Sequence, residues 1–210
     1  MGTRSNNCSG DPADIQNVPV KGGFAMWKNR KLPIVTTVIL VLNLLGLIYE
    51  FSEGQNRAIY QYGMYQGALQ DGEWLRLIVS AFLHFGIYHF GSNMICLVMY
   101  GYSLENRIGS LKYALIYAAA TIGSGLLINF TGGNGIHAGA SGAIWGLMTA
   151  TLIYNLRHQL NPVYALRGIV INLIYSFSAG VSWQGHIGGG IAGLAAAALL
   201  CRDNGQYGWR

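Results

Sequence analysis

Four stretches of the chain run without a charged residue: Lys31 to Glu50, Arg76 to Glu105, Lys112 to Arg157 and Arg167 to Arg202. A bilayer core about 30 Å thick takes roughly 20 apolar residues per helix, so the first two stretches fit one span each. The other two are too long for one crossing. Each carries turn-forming residues near its middle, Thr131-Gly132-Gly133-Asn134-Gly135 and Ser178-Ala179-Gly180, and so reads as a helical hairpin. The pattern predicts six spans, at 32–50, 84–104, 111–130, 141–156, 163–179 and 185–201. The fold class expected is an all-α, polytopic six-transmembrane-helix bundle.

Composition agrees. Of the 210 residues, 52% are hydrophobic and 10% charged, against about 25% charged in soluble domains. An ordinary soluble globule is excluded, and 12% aromatic residues exclude disorder of the whole chain. The net charge of +5 is not gathered on one face as nucleic-acid binders gather it, so no nucleic-acid partner is expected. The basic residues instead report topology, because they prefer the cytoplasmic side. Arg4, Lys21, Lys28, Arg30 and Lys31 precede the first span, Arg107 and Lys112 follow the second, Arg157 and Arg167 follow the fourth, and Arg202 and Arg210 follow the sixth. This places both termini in the cytoplasm. Only Arg57 and Arg76 lie on the other side, in a loop over 51–83 whose Tyr60, Tyr62, Tyr65 and Trp74 suit an interface.

The domain organisation expected is a cytoplasmic tail over 1–31, a membrane domain over 32–201 and a short tail over 202–210, with residues 1–27 disordered. A long hydrophilic lead and the lack of a small-residue cleavage site after Tyr49 argue for an uncleaved anchor rather than a signal peptide. Asn6 stands where a myristoylation prefix wants Ser or Thr. Cys8, Cys96 and Cys201 have neither disulfide-framework nor metal spacing. No cofactor and no metal is expected.

Polar side chains at membrane depth are costly and face a bundle interior or a wet cavity. Here they are His84, His89, Asn93, Ser141 and His186. At 1.5 Å per residue, Ser141 counted from Arg157 and His186 counted from Arg202 both lie about 24 Å above the basic plane. His89 and Asn93, counted from Arg107, lie at roughly 27 and 21 Å. Four polar groups from three helices thus converge on one depth. His89 and Asn93 share a face at i, i+4. Gly142 and Gly146, beside Ser141, and Gly185, Gly189 and Gly193, beside His186, are small-xxx-small pairs that let two helix backbones meet. A Ser within about 3 Å of a His is a minimal activated nucleophile. No Asp or Glu lies in the stretches carrying the two, so the pattern supports a dyad rather than a triad. His89, Asn93 and the unpaired N–H groups where the fourth helix starts could bind a developing oxyanion.

Each feature alone has a plainer reading. A membrane Ser usually packs or bonds back to its own helix, and the glycines alone say only that helices touch. His84 alone reads as a brace for the loop and His137 as a loop residue. Gly139-Ala140-Ser141-Gly142-Ala143 breaks the GxSxG elbow of soluble hydrolases at its last residue and follows no predicted strand. The shared depth is what favours a site.

At these residues the chain resembles the rhomboid family of intramembrane serine proteases. His84-Phe85-Gly86-Ile87-Tyr88-His89-Phe90-Gly91-Ser92-Asn93 is similar to its HxxxxHxxxN pattern, Gly139-Ala140-Ser141-Gly142 to its GxSG motif and His186-Ile187-Gly188-Gly189 to its HxxG motif. Trp74-Leu75-Arg76 resembles a tryptophan-arginine motif with one residue inserted, and Leu104-Glu105 with Gly109-Ser110 a polar staple. Trp145 stands where the family often places Tyr or Phe, and Gly185 where it often places Ala before the base.

The resemblance implies a rhomboid-like six-helix core, a serine endopeptidase with Ser141 and His186 catalytic, and an oxyanion hole of His89 and Asn93, supported by His84, Gly139, Gly142, Trp145 and Gly189. It also implies transmembrane protein substrates admitted between the second and fifth helices under a cap over 178–184, and cleavage near the outer face. The expected setting is the plasma membrane, with lipids as neighbours. Two other readings are a catalytically silent rhomboid-like protein that binds membrane clients, and a transporter with His186 and His89 as relay; no acidic residue at mid-membrane supports the latter.

Overall fold

The computed structural model describes residues 32–177 and 181–201. The expected tails over 1–31 and 202–210, their basic residues, and the turn at Ser178–Gly180 lie outside the described residues.

The first helix, α1 (Ile34–Glu53), shows what solvent the chain is built for. Thr36, Ile39, Asn43, Leu47 and Glu50 recur at helical spacing and are buried, while Val38, Val41, Leu45 and Ile48 are at least half exposed. Polar groups face the protein and aliphatic ones face outward, which inverts the amphipathicity of a soluble helix and matches a lipid surround. Among the described residues, α1 and α5 (Ser110–Thr131) are each long and apolar enough to cross a membrane.

The loop expected over 51–83 is more ordered than its composition suggests. It contains α2 (Gln55–Tyr62), a two-residue strand β1 (Met64–Tyr65) and α3 (Arg76–Val79), which runs on into one tight turn at Ser80–Phe82. Arg76 organises it: the guanidinium donates to the Tyr60 and Gly63 carbonyls at the end of α2 and lies 5.0 Å over the Tyr65 ring. The Tyr65 hydroxyl donates to the Asp71 carboxylate at 2.8 Å, a contact that raises the phenol above its ordinary pKa. The inserted Leu75 is exposed, and Trp74 is exposed beside it.

The second predicted span begins later than the hydropathy indicates. Helix α4 covers Ile87–Ile108, and α3 with its following turn meets it at a bend of 97°. His84 therefore lies in the bend rather than on the helix. The fourth to sixth predicted spans appear as α6 (Ser141–Arg157), α7 (Val163–Ser176) and α8 (Trp183–Leu200). The fifth stops at Ser176 instead of 179. Helix α6 is buried from Gly142 through Met148 and packs against α4, α5, α7 and α8. It is the core of the bundle.

Helix ends on the side opposite the loop are tied by polar contacts. Arg157 of α6 donates to the Ala198 carbonyl of α8 at 2.7 Å, and Arg107 of α4 to Asn155 of α6 at 2.8 Å. Glu105 accepts from Val35 N–H and Ser110 Oγ on one oxygen and from Thr36 N–H and Oγ1 on the other. This buried carboxylate caps the start of α1, where the helix dipole favours negative charge, and joins three helices. In Glu105→Gln one oxygen becomes an NH₂ facing two donors. Thermal unfolding in detergent should show a loss of about 2–3 kcal/mol.

Candidate active site

Helix α6 starts at Ser141, immediately after a chain reversal that the two-residue strand β2 (Ile136–His137) steadies by pairing antiparallel to β1, Met64 opposite His137. The Gly139-Ala140-Ser141-Gly142 motif thus does follow a strand, contrary to expectation. Two residues are too short to show alternation. Gly139 has φ +134°, and its N–H donates to the Ser80 carbonyl at 2.9 Å.

The small-residue pairs meet as expected. A Cβ on Gly189 would stand 2.0 Å from the Gly142 carbonyl oxygen, and one on Gly193 would stand 2.3 Å from Gly146 Cα. No larger residue permits this approach of α6 to α8. Its result is a 2.9 Å contact between Ser141 Oγ and His186 Nε2. Trp145, one turn along α6, stacks on the imidazole with centroids 5.5 Å apart and an interplanar angle of 19°. His186 is 4% exposed.

His89 and Asn93 lie on α4 across a cleft of about 620 Å³, which also touches Ser141, His186, Trp145 and Asn172 of α7. Phe85 N–H donates to His89 Nδ1 at 3.1 Å. That acceptor role leaves the ring proton on Nε2, and the Nε2 edge abuts Gly139, where a Cβ would come within 3.1 Å of Nε2 and 2.7 Å of Cε1. Asn93 departs from the expectation in one respect: its Nδ2 already donates to the His89 carbonyl at 2.9 Å, so one amide proton remains for the cleft. His84 is fully buried and edge-on to His89 at 5.3 Å. Its N–H is held by Glu50 and its carbonyl by Gln55, and it braces the bend.

Gly142 sits where a Cβ would strike Ser124 Oγ. Behind Ser141, a 30 Å³ cavity is lined by Thr121, Ser124, Gly185 and Ser182, room for about one water. Of the segment expected to cap the cleft, Ser182 accepts from Gly185 N–H at the start of α8 and Gln184 donates to the Thr131 carbonyl. One neighbour was not expected. Ser176, the last residue of α7, places its Oγ 2.6 Å from His186 Nδ1. A serine ending an apolar helix carries no sequence signal that separates this contact from ordinary back-bonding.

Chemically, the cleft pairs a hydroxyl with an imidazole nitrogen at hydrogen-bond distance. It sets the N–H groups of His89 and Asn93 across the cleft from them, and the first turn of α6 adds its own amides, which lack intrahelical acceptors.

Residues 71–203 match the Rhomboid domain family, a range that begins after α1. The chain is 31% identical to Rhomboid protease GluP of Bacillus subtilis over 99% of this chain and 46% of that protein. It is 28% identical to Rhomboid protease AarA of Providencia stuartii, over 76% of this chain and 69% of that one. It is 33% identical to RHOMBOID-like protein 5 of Arabidopsis thaliana, over 67% and 48%. The chain spans less than half the length of the first and third of these relatives. Its matching segment contains the whole cleft from His84 to His186, and with that match the chain, an integral membrane protein, belongs to the rhomboid family.

Proposed function

We propose that this chain is an intramembrane serine endopeptidase that cleaves transmembrane protein substrates near the outer membrane face. The 2.9 Å contact of Ser141 Oγ with His186 Nε2 carries the reading. In the proposed cycle the Ser141 oxygen attacks the scissile carbonyl carbon, its proton passes to His186 Nε2, and the carbonyl π electrons become the oxyanion. His89 Nε2–H, the free Asn93 amide proton and the Ser141 N–H receive that oxyanion. Collapse breaks the C–N bond, the imidazolium protonates the leaving amine, and water then releases the acyl group by the same path in reverse. No step needs a cofactor or metal.

The six spans map onto α1, α4, α5, α6, α7 and α8 within a membrane domain over 32–201, with both termini cytoplasmic and the cleft towards the outer face of the plasma membrane. Support for the level comes from the Arg107–Asn155 and Arg157–Ala198 contacts, which lie at the opposite helix ends from Ser141. Access between α4 and α7 is supported by their packing. Low in the bundle Tyr100 fills the space beside Gly168 and Tyr164, whereas at the level of Ser141 the cleft runs between His89 and Asn172. A substrate segment there must expose its carbonyls, so cleavage falls where its helix is weak.

Intact mass after fluorophosphonate treatment of the purified protein tests the reading. One adduct, mapped to Ser141 and dependent on His186, is expected. No adduct on folded protein, with no cleavage of a transmembrane substrate in liposomes, would replace it with client binding. The oxyanion assignment makes a separate prediction. Gly139→Ala places a methyl group against the His89 ring at a φ that L residues rarely adopt. Its kcat should fall about tenfold to a hundredfold.

A further inference from the structure

Neither histidine nitrogen in the His186 ring is free, and the two contacts are not equivalent. Nε2 faces Ser141 Oγ at 2.9 Å, and Nδ1 faces Ser176 Oγ at 2.6 Å. Only one ring nitrogen of a neutral imidazole carries a proton. If it sat on Nε2, Ser141 would face a donor and could not give up its own proton. The base works only with the proton on Nδ1.

Ser176 decides between the two arrangements. Its hydroxyl has one proton, and its Oγ also lies 2.6 Å from the Asn172 carbonyl, one turn back on α7. A carbonyl oxygen can only accept. The Ser176 proton therefore goes to Asn172, its lone pairs face His186, and Nδ1 must be the donor. Ser176 is 2% exposed, so little solvent reaches the pair to offer an alternative. We infer that Ser176 is a positioning residue that fixes the Nδ1–H tautomer of His186, through a relay running Ser141 Oγ–H to Nε2, Nδ1–H to Ser176 Oγ, and Ser176 Oγ–H to the Asn172 carbonyl. A neutral hydroxyl, polarised by a helix carbonyl, takes the place of the carboxylate whose absence the sequence made plain. When His186 accepts the Ser141 proton, Nδ1–H keeps the same acceptor, and the C-terminal end of α7 places partial negative charge near the cation.

This rests on the proposed serine-protease reading for its catalytic consequence, but not for the tautomer itself. The test is therefore double. In ¹⁵N-histidine-labelled protein, with the His186 signals assigned by their loss in His186→Asn, the ring should show Nδ1 protonated and Nε2 bare. Ser176→Ala and the near-isosteric Ser176→Cys should both shift the ring towards the other tautomer and lower kcat about tenfold with KM unchanged. Ser176→Thr, whose hydroxyl back-bonds in the same way, should restore the wild-type tautomer and most of the rate. An unshifted tautomer in Ser176→Ala, or an unchanged kcat in a shifted one, overturns the inference. If wild type shows the expected tautomer yet takes no fluorophosphonate adduct, it is the protease reading that fails and the positioning that stands.

Discussion

Ser141→Ala and His186→Ala should each lower kcat for cleavage of a transmembrane substrate in liposomes by at least about 10⁴-fold, and the double variant by no more than either alone. A serine hydroxyl is a poor nucleophile until a base takes its proton as the new bond forms. In the proposed cycle that base is His186, whose Nε2 lies 2.9 Å from the hydroxyl. The nearby hydroxyls do not substitute. Ser182 Oγ is held by Gly185 N–H, and Ser124 lies behind Gly142 rather than in the open cleft. Because the pair acts as a unit, removing one member leaves the other nothing to do, which is why the losses do not add. KM should move little, since neither side chain is needed to bind the substrate before attack. Transport predicts another pattern, with Ser141→Ala intact and His186→Ala dead. Client binding predicts that both variants keep their function.

Much of this site could be read from the chain because membrane depth is a one-dimensional coordinate. Counting from basic residues puts Ser141 and His186 level, and the count succeeds for a physical reason: Arg157 reaches across to the last carbonyls of α8, so α6 and α8 end together. Glycine spacing on the two helices then announces the seam. What escaped depends on direction rather than depth. The 97° bend before α4 lies inside an uncharged stretch, and hydropathy cannot tell a bent helix from a straight one. The β1–β2 pairing is two residues long and has no period to detect. Ser176 faces His186 only because of how α7 is rotated where it packs on α6, and a back-bonding serine looks the same on every face.

Gly189→Ala should cost about 1–3 kcal/mol of stability and about a hundredfold in activity, more than its one added methyl group suggests. The new Cβ would stand 2.0 Å from the Gly142 carbonyl oxygen and 2.6 Å from its carbon. Both are backbone atoms of α6, so no side chain can turn away to make room. The helices must separate, and they must do so one turn from the Ser141–His186 contact. A displacement of about 1 Å at reacting atoms is enough to lose two orders of magnitude. The neighbouring residue gives the control. A Cβ on Gly190 would meet only Trp145 and Thr149 side-chain carbons, at 3.5 and 3.6 Å, which is ordinary contact. Gly190→Ala should therefore keep most of the wild-type activity and melt close to wild type. Equal damage from the two substitutions would mean that the glycine run serves α8 as a whole, and that the close approach at Gly142 is not what sets the distance between serine and histidine.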